Sequence, residues 1–367
     1  MCDNILAFLQ LIKLGIGSAS RASLPGNIDW SSIETLAARQ GLSAVVLDGI
    51  ERHKSSNVSG VPVPDQKLLL QWIGEVMQNY EQRYVQYKKA VSSLAGFYNH
   101  HGYKMMVLKG YACSIDWPKP EHRPCGDIDI WLFGKQEEAD KELVSSFRVQ
   151  DPSFKIDSSH HHHTVFEWEG FSVENHFDFI NVYDLKSNAV IEKVFKELGQ
   201  DDTIWTEIYD EKVYLPNPNL HVLFMLRHMM NHFVAAEINL RQLVDYALFV
   251  KEHDDEVDWK WMMSELKRFD MERLFNIFNA ICVEELGFEA HLFPSIQYLP
   301  SLKQRVVDDI LLPKFNGVFP KNIVSRVIYK YKRWKYNSWK RELCFNEDAS
   351  DAFWSGVWSH IKKPSTI

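Results

Sequence analysis

The stretch that most constrains the fold runs from Lys104 to Phe133, with the sequence KMMVLKGYACSIDWPKPEHRPCGDIDIWLF. It contains two short apolar runs, and in the second run Asp127 and Asp129 alternate with isoleucine. Successive side chains of a strand point to opposite faces, so the two aspartates are predicted to share one face. Neighbouring carboxylates repel unless a cation lies between them, and Mg²⁺, a hard ion that prefers oxygen ligands, fits that need.

The context of the two aspartates decides between a functional pair and a merely solvated strand. Asp-X-Asp also occurs on wet sheet faces, but here glycines and apolar residues flank it, which favours an inner strand. A second predicted strand, residues 171–180, carries Glu174, His176 and Asp178 on one face. If the two strands are neighbours, Glu174 completes a three-carboxylate site that can hold two metal ions.

Helical patterns flank this strand-rich middle. Apolar residues recur at helical spacing in the first third and again after residue 217, while Glu169-Gly170 is a tight-turn signal between two strands. The pattern predicts an α+β chain with three regions: 1–102 helical, 103–216 a small mixed α/β core, and 217–367 helical. Boundary signals are a capping box at Ser31, a stop at Gly41, a break near Gly74 and helix caps at Asn219 and Asn239.

Lys-Gly at 109–110, Arg-Pro shortly before Gly-Asp-Ile-Asp, and the later Val-Glu-Asn-His resemble the nucleotidyltransferase superfamily of DNA polymerase β type. Within it, they are similar to a bacterial branch of mostly uncharacterised nucleotidyltransferase family proteins. The resemblance covers roughly residues 28–250, and its tight motifs cover far less. It implies a polymerase β-like core, with helical regions on both sides.

The resemblance carries Asp127 and Asp129 onto the paired metal ligands, Glu174 onto the third carboxylate, and Lys109-Gly110 onto the nucleotide-binding turn. The superfamily usually has Gly-Gly or Gly-Ser in that turn, whereas Tyr111 follows the glycine here. Lys109 therefore becomes the predicted phosphate partner, and Gly110 is predicted to open a helix whose N-terminus suits a triphosphate. The predicted nucleotide-binding residues are Lys109, Gly110, Tyr111, Arg123, His163, His176 and Arg241.

The activity implied is Mg²⁺-dependent transfer of a nucleoside monophosphate, with ATP the expected donor, to an acceptor hydroxyl with release of pyrophosphate. Two Mg²⁺ ions are expected, with Glu174 as the base and Asp178 as the alternative. The acceptor stays open. Two other interpretations remain: a nucleotide-binding or interaction protein with a decayed site, favoured by Tyr111, and a hydrolase built on histidine-bound metal.

Histidines form two groups. If His160 to His163 lie on a strand, His161 and His163 share a face. The resemblance implies that one of these two meets the phosphates or the acceptor. A transition-metal site is the competing interpretation, but no cysteine or carboxylate completes a tetrahedral set at a familiar spacing. His228 and His232 are adjacent on a helix face, and a cleft-lining or packed pair is favoured over metal ligation.

Two further features have competing interpretations. Arg241 and Asp245 have the spacing of a structural ion pair, and the resemblance places them in the helical wall behind the nucleotide site. Residues 321–341 are basic and interleaved with aromatic residues. This composition suits RNA, an amphipathic helix packed on its own domain or, less well, an anionic membrane surface, with the packed helix favoured.

Composition sets broader limits. The chain of 367 residues has 46% hydrophobic residues and a formal charge of −8, which favours a globular protein without general affinity for nucleic acid. Its five cysteines lack paired metal spacing, which indicates reduced thiols. The apolar run from Ile5 to Ile16 is a poor signal peptide and too short to span a bilayer, so a cytoplasmic protein without a membrane span is expected.

Overall fold

A single six-stranded sheet forms the centre of the protein in a computed structural model that describes residues 3–55, 62–148, 151–183, 187–315, 320 and 322–345. The strands lie in the order β3-β4-β2-β1-β6-β5. Parallel pairing joins β2 to β4 and β1 to β6, and the other neighbours are antiparallel. The strands are β1 Met106–Val107, β2 Ile128–Trp131, β3 His163–Trp168, β4 Phe171–His176, β5 Trp205–Ile208 and β6 Glu211–Tyr214.

Helices precede, interrupt and follow the sheet, which confirms the α+β prediction. Those before and within the sheet are α1 Asp3–Ile16, α2 Trp30–Gln40, α3 Ser43–Lys54, α4 Gln66–Val76, α5 Arg83–His100, α6 Tyr111–Ser114, α7 Gln136–Phe147 and α8 Asn188–Gly199. Those after it are α9 Pro218–Ala235, α10 Leu240–His253, α11 Trp259–Arg268, α12 Glu272–Glu284, α13 Pro300–Leu311, α14 Ile323–Tyr336 and α15 Ser338–Cys344. None of the helices in the described ranges is long and apolar enough to cross a membrane.

Local signals explain several boundaries. Gly41 ends α2 in the left-handed conformation at φ 67°, as predicted, and Asn239 begins α10 with a capping box. The Glu169-Gly170 turn joins β3 to β4 with φ 48° and 81°, the two positive values that a tight two-residue hairpin needs.

Three boundary predictions are wrong. Asp29 caps α2 instead of Ser31, and Asn217 caps α9 instead of Asn219, because Pro218 takes the first helical position. The helix does not break at Gly74. It continues to Val76, and a π-helical segment at 77–82 leads into α5.

The buried residues form two clusters, one on each side of the sheet. One cluster joins the first helices to the last ones, with Phe8 and Phe275 both fully buried in it. The other packs α5 against the sheet through residues such as Tyr87, Ile128 and Val173. The three-region division stays a prediction, and these clusters cut across it. Part of the third region, residues 346–367, lies outside the described residues.

Candidate functional site

The register between β2 and β4 brings two acidic side chains together. Asp129 and Glu174 are direct partners in this parallel pair, and both side chains face the same cleft. Asp129 is only 4% exposed, while Glu174 is partly exposed. The alternation predicted for β2 holds, since Ile128 and Ile130 are buried in the core on the opposite face.

Asp127 lies one residue before β2 and lines the same cleft at its exposed rim. Partial burial raises the pKa of Asp127, and the carboxylates of Asp129 and Glu174 raise it further. Tyr87, which the sequence did not point to, donates its hydroxyl to the Asp127 carbonyl at 3.2 Å. Gly110 makes this contact feasible: its φ is 58°, and a Cβ there would lie 2.0 Å from the Tyr87 hydroxyl.

Two nitrogen-bearing side chains contact Asp129. The Lys109 ammonium lies 2.5 Å from its Oδ1 atom, and His176 Nε2 lies 3.2 Å from the same atom and 3.6 Å from Glu174 Oε2. Burial lowers the pKa of Lys109, but Asp129 and the other two carboxylates more than offset this and raise it. Burial likewise opposes ionisation of Asp129, yet Lys109 and His176 outweigh it and hold the Asp129 pKa well below its usual range.

The cleft has a volume of about 550 Å³. Its wall includes every predicted site residue except Tyr111, whose side chain is buried in the α5 cluster. The cleft also contains residues that the sequence gave no reason to select. The predicted residues that line it are Lys109, Gly110, Arg123, Asp127, Asp129, His163, Glu174, His176 and Arg241, and the unforeseen ones include Asn181, Asn231 and Gln242.

The helix that follows Gly110 has only four residues, Tyr111–Ser114. An element of about one turn develops little dipole, so the predicted helix N-terminal site for a triphosphate is not formed by α6. The Tyr111 side chain also points away from the cleft. It packs among the buried aromatic residues around α5, so it does not reach a nucleotide in the cleft.

Arg123 pairs with Asp245, whereas the spacing on the helix suggested an ion pair between Arg241 and Asp245. Two nitrogens of Arg123 donate to the two oxygens of Asp245 at 2.8 and 2.9 Å, and Trp117 Nε1 donates to Oδ1 at 2.9 Å. Both partners of the pair are buried. Arg241 has no carboxylate within 4.0 Å among the described residues, and it donates only to the Pro124 carbonyl, at 3.4 Å. Of the two arginines, Arg241 is therefore the one available to an anion.

His160 to His163 do not alternate between the two faces of a strand, and not all of them lie in solvent. β3 begins at His163, so His160 to His162 lie outside the strand, and His162 and His163 line the cleft while His161 packs beside Tyr183 at 5.6 Å between ring centroids. Burial lowers the pKa of His162 to about 2 and that of His163 to about 4.

On the opposite wall, His228 and His232 of α9 line the cleft with ring centroids 4.4 Å apart, which matches the favoured interpretation of a cleft-lining pair. Burial lowers the pKa of both imidazoles. The ring nitrogens facing the cleft from α9 are therefore neutral near pH 7.

β4 ends at His176 because the backbone N–H groups of Phe177 and Asp178 turn to the His162 carbonyl, at 3.0 and 3.1 Å. The predicted strand to residue 180 is therefore too long, and Asp178 does not share the face of Glu174. The Asp178 carboxylate pairs with Lys196 and is not part of the described cleft wall. This leaves Glu174 in the better position for a base.

The basic and aromatic stretch 321–341 contains α14 and the first part of α15, and residue 321 lies outside the described residues. Its second half is packed: Lys340 is 1% exposed and pairs with Asp309 at 2.5 Å, and Trp339 lies against Phe233. Tyr331 and Tyr336 are exposed. The favoured packed-helix interpretation agrees with this for α15, while RNA binding stays a prediction.

Comparison with known proteins identifies a family for this chain. A family model described as uncharacterised nucleotidyltransferase matches residues 26–287, well over half of the chain. No curated protein matches the sequence. Among solved structures, an antigenic nucleotidyltransferase-like protein from Paracoccidioides brasiliensis is similar at 14% identity and a TM-score of 0.33, covering 49% of this chain and 87% of that one. Likeness at that TM-score carries no argument about activity.

Proposed function

Because this chain belongs to the family described as uncharacterised nucleotidyltransferase, we propose that it transfers a nucleoside monophosphate from an NTP to an acceptor hydroxyl and releases pyrophosphate. The proposal includes ATP as the donor, Mg²⁺ as the metal and the polymerase β type of superfamily. The observation that carries it is the register of Asp129 against Glu174 on adjacent parallel strands, with Asp127 lining the same cleft.

The three carboxylates fit Mg²⁺ as ligands. Hard divalent ions prefer carboxylate oxygens, and burial together with the nearby carboxylates of Asp129 and Glu174 raises the pKa of Asp127. Lys109 already pairs with Asp129 at 2.5 Å, so a positive charge at that carboxylate is part of the site. When bound, Mg²⁺ would stabilise the charge of the triphosphate and lower the pKa of the acceptor hydroxyl.

The side chains of the cleft supply the remaining roles. Lys109 keeps Asp129 ionised and holds a positive charge at the cleft floor, and Arg241 offers a guanidinium without a carboxylate partner among the described residues. We assign both to phosphate oxygens of the nucleotide. Glu174, whose Oε2 lies 3.6 Å from His176 Nε2, accepts the proton of the acceptor hydroxyl, and His176 positions it.

The test is transfer of label from each α-labelled NTP in the presence of Mg²⁺ and cell lysate as the source of acceptors. Label transfer and pyrophosphate release are expected for the wild-type chain. Asp127→Asn is the variant of choice because Asp127 is exposed, so its loss disturbs little packing. A fall of about a hundredfold to a thousandfold is expected, since removing one charge-stabilising group costs several kcal/mol of barrier.

Asp178→Asn is the matched control, because this carboxylate is close in sequence to Glu174 but pairs with Lys196 and is not in the described cleft wall. It is expected to retain transfer. Near wild-type transfer by Asp127→Asn would contradict the assigned site. Binding of NTP without transfer from any of the four nucleotides would contradict the activity and favour a nucleotide-binding protein.

A further inference from the structure

Three histidines converge at the edge of the cleft formed by β3 and β4. His163 and His176 are direct partners in this antiparallel pair, and His162 immediately precedes β3. One ring nitrogen from each of the three can be chosen so that all lie within 4.8 Å of one another. The ring centroids of His162 and His163 are 4.3 Å apart, and those of His163 and His176 are 5.2 Å apart.

Two of these imidazoles have buried nitrogen atoms without a hydrogen bond. Nδ1 of His162 and Nδ1 of His163 receive no hydrogen bond from any residue that the structure describes, although Glu174 Oε2 lies 3.8 Å from the latter. A buried polar atom without a hydrogen bond is unfavourable, so such atoms call for a water molecule or an ion.

The third imidazole is oriented by a contact outside the cluster. His176 Nδ1 lies 3.2 Å from the Asp178 carbonyl oxygen, which can only accept, so Nδ1 carries the proton and donates. Nε2 then points into the cleft, where Asp129 Oδ1 lies 3.2 Å away. A carboxylate at that distance requires a proton or a metal ion on Nε2. Metal-binding histidines are commonly oriented in this way, with the N–H of the other ring nitrogen donating a hydrogen bond to the protein.

We propose that His162, His163 and His176 form a binding site for a transition-metal ion of the zinc class, beside the carboxylates. Neutral imidazole is a preferred ligand of zinc and its neighbours and a poor one of Mg²⁺, so the two parts of the cleft select different ions. Three protein ligands leave a fourth position open for water or a substrate oxygen, as in catalytic zinc sites. The site does not depend on the transfer activity proposed above.

The test uses the full chain, freed of metal with a chelator and titrated with Co²⁺, which reports its coordination through visible absorption. One Co²⁺ per chain is expected, with the strong bands of a four-coordinate nitrogen-ligated ion, displaced by Zn²⁺ but not by excess Mg²⁺. His162→Ala is the first variant because its ring is the least buried of the three. It is expected to weaken binding by more than about tenfold, and His176→Asn likewise.

His160→Ala is the matched control. His160 belongs to the same histidine run, lies 3.6 Å from Asp157 and stacks on His163 at 4.6 Å between ring centroids, but it is not one of the three ligands. It is expected to bind Co²⁺ as the wild type does. Equal losses of Co²⁺ affinity in His160→Ala and His162→Ala, or no loss in His176→Asn, would mean that residues 160–163 bind metal as a polyhistidine tag does. Either result would overturn the proposed site. Displacement of Co²⁺ by excess Mg²⁺ would also overturn it.

Metal binding and transfer can be separated with Asp127→Asn. This variant should lose transfer but still bind Co²⁺, because Asp127 is not one of the three ligands. Far-ultraviolet circular dichroism checks that each variant is folded. If His176→Asn does not fold, the comparison of His162→Ala with His160→Ala decides the question.

Discussion

Two buried cation–carboxylate pairs lie along the same cleft, and they are built differently. Arg123 and Asp245 form two parallel hydrogen bonds, and Trp117 donates a further hydrogen bond to the Asp245 carboxylate. Lys109 meets Asp129 through one contact, in a neighbourhood that contains two more carboxylates. We call Arg123–Asp245 the closed pair, because both carboxylate oxygens are bound by the arginine. We call Lys109–Asp129 the open pair, because two further carboxylates lie beside it without a cation of their own among the described residues.

This difference separates a structural pair from a functional one. A planar guanidinium bound at both oxygens has little reason to exchange partners, while an ammonium is a point charge that another cation can replace. Burial and ion pairing are therefore insufficient to identify a site residue. The informative quantity is the balance of charges in each group: Asp245 interacts with two guanidinium groups, those of Arg123 and Arg241, whereas three carboxylates surround Lys109.

Breaking the closed pair should have the largest effect on stability. Asp245→Ala leaves the Arg123 charge buried without its partner, so the free energy of unfolding is expected to fall by about 3–5 kcal/mol in denaturant titrations. Replacing both residues, with Arg123→Met and Asp245→Leu, should restore most of that loss, because a buried pair exchanged for packed apolar groups is often close to neutral. Lys109→Met is expected to cost less, since His176 and the cleft still stabilise Asp129. Equal losses for Asp245→Ala and Lys109→Met would remove the distinction.

A third buried carboxylate, Glu192, extends the comparison because its nearest cation, Lys196, is 3.9 Å away. It accepts instead from the backbone N–H groups of Phe179 and Ile180. Burial raises the pKa of Glu192 to about 7 from an ordinary value of 4.5. Between these values the folded protein holds a proton that the unfolded chain has lost, so the free energy of unfolding should fall as the pH rises from 4.5 to 7, by up to about 3 kcal/mol.

Unfolding titrations across this pH range measure the effect. Glu192→Gln, which cannot ionise, should show a flatter dependence in the same window. If the free energy of unfolding of Glu192→Gln changes with pH as steeply as that of the wild type, ionisation of Glu192 is not the source of the pH dependence. The backbone N–H groups would then be sufficient to stabilise the ionised carboxylate.

The geometry of the open pair depends on Gly110. Gly110→Ala places a Cβ 2.0 Å from the Tyr87 hydroxyl at a φ of 58°, so a stability loss of about 1–3 kcal/mol is expected, together with reduced transfer because Lys109 shifts. Gly126→Ala is the control, since its Cβ would meet no atom within 4 Å. It should change the free energy of unfolding by less than about 0.5 kcal/mol. A Gly110→Ala variant as stable as Gly126→Ala would contradict the requirement for glycine.

Replacing Arg241 should have the smallest effect of these substitutions, and it should affect nucleotide binding rather than stability. Arg241→Ala is expected to raise the KM for the NTP by about tenfold, equivalent to about 1.4 kcal/mol, with little change in unfolding. Arg241→Lys, which keeps the charge, should recover part of the affinity. An unchanged KM in Arg241→Ala, or a stability loss like that of Asp245→Ala, would remove Arg241 from the nucleotide site.

Patterns confined to one segment were predictable. The alternation around Asp129, the turn at Glu169-Gly170 and the stop at Gly41 all appear as the sequence indicated. Contacts between distant segments were not predictable. The four-residue spacing on a helix predicts an ion pair between Asp245 and Arg241, but Asp245 binds Arg123, 122 residues away. The orientation of Tyr111 after Gly110 is a related case, because its side chain packs into the cluster around α5, far back in the chain.

The sequence by itself determined which side chains share a face, because the period of a strand or helix is set by backbone geometry within a few residues. It also carried the motifs on which the family membership depends. Only the tertiary structure decided which groups meet: that Asp129 lies opposite Glu174, that Lys109 and His176 contact it, and that His162, just before β3, lies close to His176 of β4. The physical reason is that strand order and register are set by burial of the whole core, and a shift of one residue would replace every one of these partners.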